Sequence, residues 1–138
     1  MKIKHITTIS GGQDGAIWGD YLFRFDSRGN CNVYDISSIP DNPDKELSPL
    51  SAFRLDKADV IAPHSNTVMF GNEYYSSDDK YPLLYSNIYN NYANSHNPLK
   101  GVCCVYRLKQ NGQYFSTTLV QLIEIGFVDS EYWSSATM

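Results

Sequence analysis

The sequence has no cluster of lysine and arginine. Its 11 basic residues are scattered among 15 acidic ones, for a formal net charge of -4. Gripping nucleic acid by its phosphates needs a basic face, so nucleic acid is not an expected partner. Long apolar runs are missing too. None approaches the roughly 20 residues of a membrane helix, and Met1-Lys2-Ile3-Lys4-His5 lacks the apolar stretch of an export signal. No membrane is expected as a partner, and the chain as given reads as cytoplasmic. Cysteine is scarce and odd in number, at Cys31, Cys103 and Cys104. No C-x-x-C pair or second Cys/His cluster completes a zinc site. Adjacent Cys103 and Cys104 point to opposite faces of a strand and so do not pair. Three buried thiols acting as small hydrophobes are expected, in a reducing compartment, with no metal and no cofactor.

Helical periodicity is the last absence. Wherever apolar residues recur at i, i+3, i+4 and i+7, a Gly, a Pro or a strand-like alternation interrupts them. What remains is a 138-residue chain, 42% hydrophobic and 19% charged, enough for one domain with one core. Strand signals recur along it. Tyr21, Phe23 and Phe25 alternate with Leu22, Arg24 and Asp26, which puts the aromatics on one face. Ser27-Arg28-Gly29-Asn30 reads as a tight turn, and residues 31–36 as the returning strand. Pro40, Pro43 and Pro49 make residues 37–49 a loop. Shorter strands are predicted at 51–55, 67–70 and 83–85. Asn111-Gly112 between two long alternating runs predicts a hairpin with a type I′ turn, and the last residues, from 126, lose all period.

The two halves of the chain resemble each other. Ala16-Ile17-Trp18-Gly19 matches Val68-Met69-Phe70-Gly71, Tyr21-Leu22-Phe23 matches Leu83-Leu84-Tyr85, and Cys31-Asn32-Val33-Tyr34 matches Cys103-Cys104-Val105-Tyr106. The order is kept while the spacing grows, as loop insertions between equivalent strands would cause. The predicted fold is all-β and antiparallel: two four-stranded, blade-like repeats over residues 5–55 and 60–127 of a single domain, 1–138. On these matches, on Gly15-Ala16-Ile17-Trp18-Gly19-Asp20-Tyr21-Leu22-Phe23 and on His64-Ser65-Asn66, residues 5–127 resemble β-propeller repeat proteins of the WD40-like or quinoprotein-like superfamily. The WD and GH dipeptides of WD40 blades are missing. Two blades cannot close a propeller, so the resemblance implies a partial one, completed by self-association or by further blades of a longer chain. A β-sandwich of the same hairpins is the alternative architecture.

The resemblance also implies a place for chemistry. His64 and Asn66 would lie at the mouth of the propeller channel, with Gln13 and Asp14 at the equivalent place in the first repeat. One histidine without a placed carboxylate or thiol defines no reaction, so these are candidate ligand-binding residues and no catalytic residue is assigned. The acids Asp56, Asp59, Asp78 and Asp79 are read as solvated turn residues rather than glycosidase or calcium carboxylates. Six tyrosines, Tyr74, Tyr75, Tyr81, Tyr85, Tyr89 and Tyr92, are interleaved with Asn and Ser. Tyrosine combines contact area with a polar tip at little entropic cost, which suits recognition of a protein or glycan. The expected function is a non-catalytic binding or scaffolding module, with Tyr89 and Tyr92 among its contact residues. The alternative is a fragment of a propeller hydrolase or lyase whose active site needs other blades.

Overall fold

The computed structural model describes residues 1–61, 67–87 and 102–124. They form β1 (Asp14–Trp18), β2 (Tyr21–Phe25), β3 (Asn30–Asp35), β4 (Ser51–Arg54), the single turn α1 (Ala58–Ile61), β5 (Val68–Phe70), β6 (Leu84–Asn87), β7 (Val102–Asn111) and β8 (Tyr114–Glu124). The fold is all-β, with two four-stranded antiparallel sheets, β1-β2-β3-β4 and β5-β6-β7-β8. The sheets stack face to face in the same sense, with β1 against β5 and β4 against β8.

Local chemistry explains the hairpins. After β2, the Asp26 carboxylate accepts hydrogen bonds from the Arg28 and Asn30 backbone N–H groups and from the Asn30 side chain. Partial burial opposes its ionisation, yet these bonds outweigh burial and hold the carboxyl below its ordinary value. The β7–β8 turn differs from expectation. Asn111 stays in the ladder opposite Tyr114, so the two-residue loop is Gly112-Gln113 and not Asn111-Gly112. Gly112 has a φ of 62°, and Gln113 is not in the positive region. A positive φ at the first central residue alone is the type II′ pattern, which a glycine there meets without strain.

The inward faces supply one core. Phe23 sits at its centre with no exposed surface. Its ring meets Phe70, Tyr81 and Phe115 edge to face, at centroid distances of 5.5, 6.2 and 5.2 Å. Cys31, Val33, Leu84, Cys104, Tyr106 and Leu108 fill the rest. Cys31 and Cys104 are buried thiols, Cys103 is half-buried on the other face of β7, and all three are free. Burial raises the Cys31 thiol well above its ordinary value and pushes that of Cys104 up to about 12.

The ladders also fix the register between the two halves. Trp18 pairs with Tyr21, and its counterpart Phe70 pairs with Leu84, so Tyr21 corresponds to Leu84 rather than to Leu83. In the same way Val33 corresponds to Cys104, because they pair with Phe23 and Ser86. Two of the three sequence matches are therefore one residue out. Such a slip exchanges inward and outward side chains, which residue-type matching does not detect.

Candidate interaction face

Each sheet has an outward face, and the two differ. On the first sheet Ile17, Leu22, Arg24, Asn32 and Tyr34 alternate with the core residues. Residues 8–13 cross this face. The Ser10 hydroxyl and the Tyr34 phenol are hydrogen-bonded at 3.1 Å, and the Arg24 guanidinium donates to the Gly11 carbonyl. Tyr34 is only 1% exposed although it points away from the core. A Cβ at Gly12 would lie 2.7 Å from the Phe25 carbonyl oxygen, so the strap can lie this close only with glycine there. Upstream, the Leu47 N–H donates to the Thr8 carbonyl and the Asn42 N–H to that of Ile6. Lys4 pairs with Asp41. A cavity of about 290 Å³, lined by Thr7, Pro40, Asn42 and Leu47, remains between strap and loop.

On the second sheet the outward rows run Met69–Tyr85–Val105–Gln121 and Asn87–Cys103–Ile123, with Arg107, Lys109 and Tyr114 toward the turn. Met69 is 58% exposed, Tyr75 58% and Tyr114 63%, while Val105 within the upper row is buried. The loop between β5 and β6 folds over part of this face. Arg107 donates two hydrogen bonds to the Asp79 carboxylate, at 2.6 and 2.9 Å, and its guanidinium lies 4.4 Å from the Tyr75 ring centroid. The hydrogen bond from Arg107 draws the Asp79 carboxyl below its usual range. The result is a face of tyrosines, Met, Ile, Asn, Ser and Thr, with Arg107 paired at its centre and Lys109 exposed toward the turn.

Several expected site residues land elsewhere. Asp14 points inward, and its carboxylate accepts a hydrogen bond from the Val68 N–H at 2.6 Å, tying β1 to β5. Gln13 is exposed and extends the β1–β2 ladder through its N–H to the Phe25 carbonyl. His64, Asn66, Tyr89 and Tyr92 lie outside the described residues. Two turn acids are not solvated as expected. Asp56 accepts from the Leu119 N–H and donates its own N–H to the Thr117 hydroxyl, which ties the end of β4 to β8. Asp79 has a side chain only 7% exposed. Tyr81 is a core residue, and burial pushes its phenol up to about 12.

A cleft of about 490 Å³ opens beside Asp78, Lys80, Tyr81, Lys109 and Gln110. Its central amide is fully used. The Gln110 carbonyl accepts from the Tyr81 hydroxyl at 2.6 Å and from Lys80 Nζ at 3.0 Å. Its NH₂ donates to the Tyr21 hydroxyl at 3.2 Å and the Gly112 carbonyl at 2.8 Å. The cleft wall is thus a clamp between the sheets. Among the described residues no group of three His, Cys, Asp or Glu side chains is placed to hold a metal ion. No described helix is long and apolar enough to cross a membrane. No protein-family model matches the chain, nor does any curated protein or solved structure.

Proposed function

We propose that this chain is a protein-binding module of two blade-like sheets, whose contact surface is the outward face of the second sheet. The observation that carries the reading is the contrast between the faces: the chain's own strap lies across one and buries Tyr34, leaving Ile17 on its edge strand exposed, while the other displays Met69, Tyr75 and Tyr114 to solvent. Tyrosine with Ser, Thr and Asn is the composition of adaptable recognition surfaces, in which rigid rings supply area and small polar groups supply hydrogen bonds. A flat, wide face suits a protein better than a glycan, which binds in a cleft through free hydrogen-bonding groups. In the cleft beside Gln110 the amide is already spent. On this reading the propeller-type array ends at the first sheet, since terminal repeats carry a covered outer surface.

The test is site-specific photo-crosslinking in cells that make the chain, with the reactive residue at position 114 or at position 17. A discrete adduct from position 114, abolished by Met69→Glu and absent from position 17, is the expected result. Equal adducts from both positions, or none from 114, would overturn the reading.

A further inference from the structure

We infer that Asn111 is a self-modifying site, converted to isoaspartate whenever the last ladder pair before the β7–β8 turn opens. The inference is independent of the binding-face reading. Three observations on one short stretch lead to it. Asn111 is exposed and stands on the outward face opposite Tyr114, so its amide is open to water. The residue that follows is Gly112, which has no Cβ to screen its nitrogen from the asparagine side chain. The turn is also uncrowded, since a Cβ built at Gly112 meets nothing within 4 Å.

The chemistry needs only water. The Gly112 nitrogen attacks the Asn111 Cγ and forms a new C–N bond. The Cγ–Nδ2 bond breaks, and Nδ2 leaves as ammonia with the proton that the Gly112 nitrogen gave up. A five-membered succinimide ring remains. Water then opens it at either carbonyl. Opening at the former main-chain carbonyl gives isoaspartate, with the chain routed through Cγ, and opening at the other gives aspartate. The ladder gates this step. Asn111 pairs with Tyr114, and an extended backbone turns the Gly112 nitrogen away from the Asn111 side chain. Ring closure needs that bond to rotate, which breaks the pair. A pair bordering a loop is where local opening costs least.

The product changes the structure. The Gln110 NH₂ donates to the Gly112 carbonyl at 2.8 Å and to the Tyr21 hydroxyl of the first sheet at 3.2 Å. Isoaspartate lengthens the main chain by one methylene just ahead of Gly112 and shifts that carbonyl. Gln110 then loses one of the bonds that hold it between the sheets. A carboxylate also appears beside Tyr114, on a chain whose net charge is already -4.

The experiment ages the purified chain at physiological temperature and pH and follows its proteolytic peptides by mass and by isoaspartyl methyltransferase labelling. Two references run alongside: Asn72, exposed in a loop but followed by Glu73, and a free peptide of residues 108–116. Asn111 should convert at least several-fold faster than Asn72 and at least several-fold slower than in the peptide. Isoaspartate should be the major product. Amide exchange at residues 110–115 should quicken in the aged wild type. It should not in aged Asn111→Gln, whose longer side chain would have to close a six-membered ring. Conversion no faster than at Asn72 overturns the site, and conversion as fast as in the peptide overturns its gating by the ladder. Aspartate without isoaspartate, or equal quickening in Asn111→Gln, also overturns the inference. If Asn111→Gln fails to fold, the wild-type rates and products alone decide.

Discussion

The two sheets share one plan and treat their outer surfaces in opposite ways. In each, four strands meander in sequence order, and the first and fourth strands of one lie against the first and fourth of the other. Inward, both offer the same solution: aromatic and β-branched residues around Phe23. Outward, the first sheet uses the chain that precedes it as a cover over Tyr34 and Arg24, with Ile17 left exposed, and the second uses a loop that Arg107 and Asp79 hold over part of its face. The proposed binding face rests on this difference.

The largest effect tests whether the two sheets form one unit. Phe23→Ala removes the ring on which Phe70, Tyr81 and Phe115 converge. A loss of about 3–5 kcal/mol is expected for a buried phenylalanine. Urea unfolding should show one shifted transition reported alike by β2–β3 and β7–β8. If the second sheet kept its own transition, the shared core would not be what joins them.

Next come the two carboxylate ties. Asp14→Ala leaves the Val68 N–H without its acceptor, and Asp56→Ala does the same to Leu119. Each should cost about 1–3 kcal/mol, the range for an orphaned, partly buried donor. Amide exchange should quicken at β5 in the first variant and at β8 in the second. Equal acceleration at both ends in either variant would show that the sheets loosen as a whole.

The strap gives a smaller effect that bears directly on the contrast between faces. Gly12→Ala sets a methyl group 2.7 Å from the Phe25 carbonyl, which belongs to the ladder and cannot yield cheaply. About 1–2 kcal/mol of strain is expected, with residues 1–12 cleaved faster by protease. Tyr34 should become reactive to tyrosine-modifying reagents. An unchanged cleavage rate would mean that the strap does not depend on this close approach.

Much of the fold could be read from period-two patterns, because burial on one face imposes them directly. Tyr21, Phe23 and Phe25 were expected on one face, and there Phe23 and Phe25 are fully buried. Seven of the eight described strands overlap a predicted run, and β1 was legible only through the match of residues 16–19 to residues 68–71. What escaped was whatever depends on partners distant in sequence. Asp14 looks like a polar ligand-binding residue until Val68 is beside it, and Asp56 and Asp79 look solvated until Leu119 and Arg107 arrive. The Tyr21–Leu84 correspondence needs the ladder as well, since residue type is similar on either side of a one-residue slip. Of the candidate site, tyrosines at 74 and 75 were a fair signal. Met69, Tyr114 and the covered state of Tyr34 had none, because outward exposure is decided by which segment crosses which sheet.

The smallest effect concerns the clamp that shapes the open face. Asp79 has its carboxyl lowered by the hydrogen bond from Arg107. A group depressed in the folded state stabilises it above the unfolded value, about 3.9 for an aspartate, and that contribution fades as pH falls through the folded value. The clamp should therefore stay intact from neutral pH down past the ordinary aspartate value and open only at a pH below it, where the folded value lies. In NMR spectra the Arg107 Nε–H resonance should stand apart from other arginines above this window and merge with them below it. Asp79→Asn should show the merged position at every pH, with Tyr75 freed from the guanidinium it now covers. Asp26, which is also depressed but through Asn30 and Arg28, serves as the internal standard on the first sheet. Acid should loosen its turn without touching the strap, whose contacts with Tyr34 and Arg24 contain no carboxylate. If acid exposed Tyr34 as readily as it freed Tyr75, the two outer faces would not be held by different chemistry, and the contrast drawn between them would fail.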